Sequence, residues 1–203
     1  MLETAEVRWF FQGPVPGSLR TWFYNLADYV TLEPMRCDHY LVLTEIDSLG
    51  IKVRENRVEV KQRIQARPPT VLAPQISGKV ELWRKWSFAL SASALELEPV
   101  PNEDGWILVC KTRHIQSYTE GVDRPARSAG KATWGYTFEL TEITLGSQQW
   151  WTLGLEAWEA KSQNQLLDRL HAAIEHTLGP GSPMPLPADA SYGYPRWLQL
   201  THQ

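Results

Sequence analysis

The residues in this chain best suited to chemistry are cations spaced two apart. Lys52 and Arg54, Lys61 and Arg63, and Lys111 and Arg113 are three Lys-x-Arg pairs. Side chains two apart on an extended strand point to the same face, so each pair projects two positive charges to one side. Residues 52–85 hold nine basic groups against three acids, +6, inside a chain of formal charge -3, which leaves -9 for the remainder. A concentrated basic segment in an otherwise acidic protein points to an anion site more than to a general nucleic-acid coat. A solvated, charged sheet face is the plainer reading of the same charges. If the cations converge inside the fold, they need a bound anion or internal acids to offset them. Glu59 and Glu81 are the internal candidates.

Other constellations carry less. No Gly-rich phosphate loop, dinucleotide fingerprint, nucleophile elbow or His-Glu-x-x-His helix occurs. Cys37 with His39, and Cys110 with His114, each share a strand face. A zinc site needs three or four ligands in closed geometry, so buried thiols and packed imidazoles are the expectation. Asp168 with His171, and Glu175 with His176, read as surface polar groups on a helix. Trp83, Arg84, Lys85 and Trp86 could stack on single-stranded nucleic acid. Their parity, however, divides them between two faces, and core packing is expected. Two cysteines do not make a disulfide framework. With no signal peptide at the N-terminus and no apolar run long enough for a membrane span, a soluble cytoplasmic protein with reduced thiols is expected.

The elements that must position the cations are mostly strands. The chain has 203 residues, enough for one domain, with 43% hydrophobic and 21% charged residues and an unusual ten tryptophans. Alternation predicts strands over 6–11, 35–43, 79–90 and 106–116. It predicts hairpins over 51–55 with 57–65 and over 134–143 with 149–158. A short helix follows Ser18 as N-cap, and a long one spans 162–178, ended by Gly179. The segments 66–78, 98–105 and 117–133 read as loops. Seven or eight strands against two or three helices predict an α+β or barrel-like class. Several strands then carry cations on one face and apolar groups on the other. An open sheet with one wet face would do this, and so would a closed barrel with a charged lumen and an apolar wall packed by helices.

The order of elements resembles the CYTH, or triphosphate tunnel metalloenzyme, superfamily. The pieces that carry the resemblance run nearly the whole chain. They are Glu6-Val7-Arg8-Trp9-Phe10, then Asp38-His39-Tyr40, then LGIKVRE with Lys52 and Arg54, and VEVKQR with Lys61 and Arg63. KVELWRKW with Glu81, CKTR with Lys111 and Arg113, the hairpin FELTEI and TLGLEAWE, and a closing SYGYPRWL complete it. The resemblance implies an eight-stranded antiparallel tunnel with flanking helices and a C-terminal helix. It implies a single domain over 1–203, with the Pro-rich tail from 180 packed on the barrel. Lys52, Arg54, Lys61, Arg63, Lys111 and Arg113 would hold phosphates, and Glu6, Glu139 and Glu156 would hold Mg²⁺ or Mn²⁺ through hard oxygen ligands. Four positions depart from the family pattern: Arg8 and Phe10 stand where Glu and Lys are expected, Thr141 where Asp is usual, and Gly154 where the late Glu-x-Glu begins. The cations are better kept than the acids. The implied function is binding of a triphosphate or related phosphorylated anion, or polyphosphate, with metal-dependent triphosphate hydrolysis as the activity. Neither a membrane nor duplex nucleic acid is expected as a partner. The alternatives are a lipocalin-type barrel for a hydrophobic ligand and a tunnel-fold scaffold or interaction protein.

Overall fold

A computed structural model describes residues 1–90, 105–119, 134–159 and 162–202. Its elements in chain order are β1 (Leu2–Gln12), α1 (Gly17–Asn25), β2 (Thr31–Leu41), β3 (Leu49–Arg54), β4 (Arg57–Ala66), β5 (Thr70–Ala73), β6 (Ile76–Gly78), β7 (Glu81–Ala89), β8 (Trp106–Thr119), β9 (Trp134–Leu145), β10 (Gln148–Glu159), α2 (Gln163–Leu178) and α3 (Tyr194–Thr201). Eight strands close an antiparallel barrel in the order β1-β10-β9-β8-β2-β3-β4-β7, and β7 returns to β1. The expected α+β barrel with flanking helices is the fold. Of the two arrangements left open by the cation pattern, the closed one is formed.

Local chemistry explains the turns. Glu55 and Asn56 between β3 and β4 both take left-handed backbone, with φ of 47° and 61°. A two-residue hairpin turn of this kind matches the strand twist, and Asn tolerates it better than most residues. Gly146, at φ 58°, turns β9 into β10. At the start of α2, the Ser162 hydroxyl accepts the Gln165 N–H.

Three expectations change. Ser18 is not the cap of the first helix, which begins at Gly17 after Pro16 and has no side-chain cap. The stretch 66–78 is not all loop: β5 and β6 pair as a separate two-stranded ribbon. Pro68, Pro69 and Pro74 cannot donate to a ladder, and they mask these short strands in the sequence. Of the expected loop at 117–133, Ser117–Thr119 continue β8, and the rest lies outside the described residues. Of the expected turn at 98–105, only Gly105 is described.

The barrel wall has two faces with opposite characters. Ala5, Val7 and Trp9 of β1 and Leu153, Leu155 and Ala157 of β10 turn outward with Phe138 and Leu140 of β9. They form one core with Leu19 and Phe23 of α1 and Leu166, Leu170 and Ile174 of α2. Each such Leu or Phe contributes about 1.5–3 kcal/mol by leaving water. The β6 ribbon crosses this face so closely that a Cβ on Gly78 would lie 2.8 Å from both Trp9 and Val7. The opposite parity on β1 is Glu6, Arg8 and Phe10, which point into the lumen.

One end of the lumen is plugged by α3. Phe10, Ile107, Val109 and Ile143, all on the inward face, pack with Trp197 and Leu198. The Phe10 ring stacks between Tyr192 and Trp197, with ring centroids 5.3 and 5.2 Å away. The fully buried Trp197 closes the aromatic stack.

The thiols are not reduced. Cys37 of β2 and Cys110 of β8 stand directly opposite in the antiparallel register and form a disulfide. Two cysteines 73 positions apart give no hint of this pairing until the strand register brings them together. The bond also removes both sulfurs from any metal set with His39 or His114.

Candidate functional site

Inward parity on all eight barrel strands brings the charged groups together. β1 supplies Glu6 and Arg8, β2 Arg36 and Tyr40, β3 Lys52 and Arg54, and β4 Glu59 and Lys61. β7 adds Trp83 and Lys85, β8 adds Lys111 and Arg113, and Glu139 and Glu156 come from β9 and β10. Together with Tyr194 and Pro195 from the plug, they line a cavity of about 190 Å³. That is smaller than the roughly 300 Å³ at which sites for drug-sized ligands begin.

Eight of the nine residues singled out from the sequence meet here: Lys52, Arg54, Lys61, Lys111, Arg113, Glu6, Glu139 and Glu156. Arg63 does not line the cavity. It stands just before a bulge in the β4–β7 register. Its guanidinium turns to Glu81 Oε1 at 2.9 Å and Asp47 Oδ1 at 2.6 Å, on the side where Gly193 packs against Trp83 and Glu81.

The cations are largely offset by internal acids. The Lys52 ammonium lies 3.3 Å from Asp38 and 2.9 Å from Glu59, whose other oxygen is 3.0 Å from Lys85. Arg113 donates to Glu33 at 2.9 Å and grips Glu139 through two nitrogens. Arg36 lies 3.0 Å from Glu33 and 3.6 Å from Asp38. Lys61 is bonded to Glu6 and stands 3.9 Å from Glu156. Glu59 and Glu81 thus take the neutralising role open to them, Glu59 inside the cavity and Glu81 beside it. The balance is still positive, by one. Eight cations line the cavity against four carboxylates, and Glu33, Asp38 and Glu55, which pair with the same cations, bring the acids to seven.

The electrostatics follow from burial and these partners. Burial pushes the Glu59 carboxyl up, but Lys52 and Lys85 outweigh it and hold the group at about 2. Burial likewise opposes ionisation of Glu139, yet Arg113 and Arg8 keep it well below the carboxylate range. Burial and then its neighbour Glu6, opposite it in register, push Glu156 up. Lys111 differs from the other lumen cations in having no carboxylate partner among the described residues. It donates to the Tyr40 hydroxyl and lies 3.7 Å from the centre of the Tyr194 ring. Burial first, and Lys52 next, depress its ammonium well below the lysine range.

The three carboxylates expected to bind metal share the cavity; Glu139 and Glu6 are committed to other partners, and Glu156 stands 3.9 Å from Lys61. Glu139 Oε1 accepts Arg8 Nη1 at 3.1 Å and the Thr141 hydroxyl at 2.5 Å, while Oε2 accepts Arg113 Nε at 2.9 Å and a second Arg113 nitrogen. Glu6 Oε1 accepts from Thr4 and Lys61. Among the described residues, no group of three or more His, Cys, Asp or Glu side chains is placed to hold a metal ion. Mg²⁺ demands near-octahedral oxygen ligands at about 2.0–2.1 Å. To reach Glu139 it would have to displace two guanidiniums from one carboxylate, so this arrangement does not fit the ion.

Sequence reasoning left several site residues unassigned. Arg36, Lys85 and Trp83 line the cavity, and Asp38 is wholly buried behind Lys52. Strand parity carried the signal for two of them, since Trp83 and Lys85 share the face of Glu81. Tyr40 and Tyr194 belong to segments noted in the sequence, but their positions on either side of Lys111 depend on the plug.

No family model matches this chain, and no curated protein matches it. Among solved structures, one from Bacillus halodurans, described as a "putative adenylate cyclase", aligns over 85% of this chain and 90% of its own at 12% identity, with a TM-score of 0.37. No helix among the described residues is long and apolar enough to cross a membrane.

Proposed function

We propose that the barrel is a binding tunnel for a triphosphate or a related phosphorylated small anion, polyphosphate included. The observation that carries this reading is the excess of inward cations over carboxylates around one small cavity plugged at one end. Ammonium and guanidinium groups converging from separate strands make charge-assisted hydrogen bonds to phosphate oxygens, and arginine does so with two parallel donors. Lys52, Arg54, Lys61, Lys111 and Arg113 would hold the anion, joined by Arg8, Arg36 and Lys85. Arg63 has no part in this, being spent on Glu81 and Asp47. The size and charge of the lumen argue against a lipocalin-type apolar ligand. The resemblance to tunnel metalloenzymes agrees with the anion reading, and hydrolysis is not assigned to any residue.

A second reading is favoured by one observation. Lys52, Lys85, Arg113 and Arg36 already have carboxylate partners, so the tunnel can stand as a scaffold without ligand. Calorimetric titration with tripolyphosphate, pyrophosphate and a nucleoside triphosphate separates the two. The binding reading expects saturable one-to-one binding that weakens with salt. The absence of both heat and a melting shift with every anion would leave the scaffold.

A further inference from the structure

Resting on that reading, we propose that Arg8 occupies the place a divalent cation would take, so that the tunnel binds its phosphorylated anion without metal. Arg8 reaches the lumen from the middle of β1, where its charge is felt by Glu6, Glu139 and Glu156, the three carboxylates a metal would need. Its Nη1 donates to Glu139 at 3.1 Å and to the Thr152 hydroxyl at 2.7 Å. Its side chain is only 10% exposed, and Cζ lies 5.4 Å from the centre of the Tyr194 ring.

The barrel is shaped to admit this side chain. Gly154 stands opposite Arg8 in the β1–β10 register. A Cβ there would lie 2.8 Å from Arg8 Cζ and 3.0 Å from Nη2, closer than real contacts allow. A side chain at 154 would require the guanidinium to shift from this position. The arginine and the glycine therefore form one feature. The glycine removes the wall atom that would collide, and the arginine supplies fixed positive charge among the acids. An arginine cannot be deprotonated in a protein. Here burial opposes its charge, but Glu139 and the other acids favour it more strongly.

Arg8 also keeps donors for a ligand. Only Nη1 is bonded to protein among the described residues, and Arg8 lines the cavity. Its Nε and Nη2 hydrogens remain for phosphate oxygens. A metal-dependent site would instead bridge carboxylate and phosphate through the ion. Here the guanidinium makes that bridge, with Glu139 on one side and the anion on the other.

The test uses the full chain, tripolyphosphate and Mn²⁺. Calorimetry with tripolyphosphate in EDTA is expected to give an affinity at least as high as with Mg²⁺ present. Mn²⁺ added to the wild type without anion is expected to leave the free-ion paramagnetic resonance signal undiminished. Arg8→Gln is expected to weaken tripolyphosphate about tenfold or more in EDTA, the loss of one charge-assisted contact. Arg8→Glu is expected to lower the free Mn²⁺ signal, because it removes the resident cation and adds an oxygen ligand. Circular dichroism melts establish that each variant is folded; if Arg8→Glu is not, the Arg8→Gln titration and the wild-type Mn²⁺ titration decide. Tripolyphosphate binding that appears only with Mg²⁺, or uptake of Mn²⁺ by the wild type, would overturn the role of Arg8 and leave the anion tunnel standing. Failure to bind tripolyphosphate both with and without metal would overturn the tunnel reading and this proposal together.

Discussion

Replacing Lys111 with methionine separates ligand binding from stability, because the two respond in opposite directions. Lys111 is 5% exposed, has no carboxylate partner among the described residues, and is capped by Tyr194. Burial, then Lys52, holds its ammonium well below the lysine value of 10.5. A lysine with a lowered folded value favours the neutral amine on folding. Its cost is fully present below the folded value and fades as pH rises toward the unfolded one. Near neutrality, exchanging this buried lysine, whose charged form is disfavoured by burial, for an apolar group of similar length gains about 1–4 kcal/mol. Loss of the hydrogen bond to Tyr40 returns about 1 kcal/mol. The net expectation for Lys111→Met is a gain of about 0–3 kcal/mol, with each kcal/mol worth about 2–4 °C in a chain of this size. The gain should shrink as melts are repeated at higher pH. Binding should move the other way. A buried charge-assisted hydrogen bond to phosphate is worth about 1.5–3 kcal/mol, roughly ten- to a hundredfold in Kd. Melting curves across a pH series and calorimetry with tripolyphosphate read both. A variant that melts lower than the wild type and binds tripolyphosphate equally well would refute the reasoning, since Lys111 would then be a structural lysine remote from the ligand.

Two other substitutions probe the walls. Glu59→Gln removes the carboxylate shared by Lys52 and Lys85. With the Glu59 carboxyl lowered from 4.5 to about 2, its contribution is present above 4.5 and lost as pH falls toward 2. It amounts to up to about 3 kcal/mol. The variant should melt lower at neutral pH and show a flatter acid limb, and an acid limb as steep as the wild type's would count against the pairing. Gly154→Ala should cost about 1–3 kcal/mol by crowding Arg8. In an Arg8→Gln background that cost should fall by about 1 kcal/mol, measured as a double-mutant cycle by denaturant unfolding. Equal costs in both backgrounds would show that the glycine serves something other than the arginine.

The features legible in the sequence are those that depend on parity alone. The Lys-x-Arg pairs of β3, β4 and β8 project to one face because strands alternate, and the apolar partners of those cations project to the other. Once the wall is known to be closed, that alternation is enough to place Lys52, Lys61, Lys111 and Arg113 in the lumen. What parity does not supply is which residue on a neighbouring strand stands opposite. Cys37 meets Cys110 through the β2–β8 register. Arg63, with the correct parity, is diverted by a bulge and by Asp47, which lies on no strand. The resemblance places the tail from 180 on the barrel, but that its end is a helix plugging the lumen is hidden for another reason. α3 has eight residues, too few for a clear helical period, and its aromatic residues match those spread along the rest of the chain.

Register also changes the meaning of the residue that looked like a loss. By the family resemblance, Arg8 stands where a carboxylate is expected, and a site with one fewer acid reads as a weakened metal site. The register sets Arg8 across from Gly154 and within reach of Glu139, where, as proposed, its charge would substitute for the ion that the acid would have helped to bind. The two positions are coupled: a Cβ at 154 would require the Arg8 guanidinium to shift from its seat. The same logic applies to the cavity as a whole. An anion entering it does not meet bare cations, because Lys52, Lys85 and Arg113 already hold carboxylates. On the binding reading it would bind through what those pairs leave over: the small positive excess, the unspent nitrogens of Arg8, and Lys111 with no acid of its own. The affinity expected of such a tunnel is then set less by the number of cations than by how few of them are left unpaired.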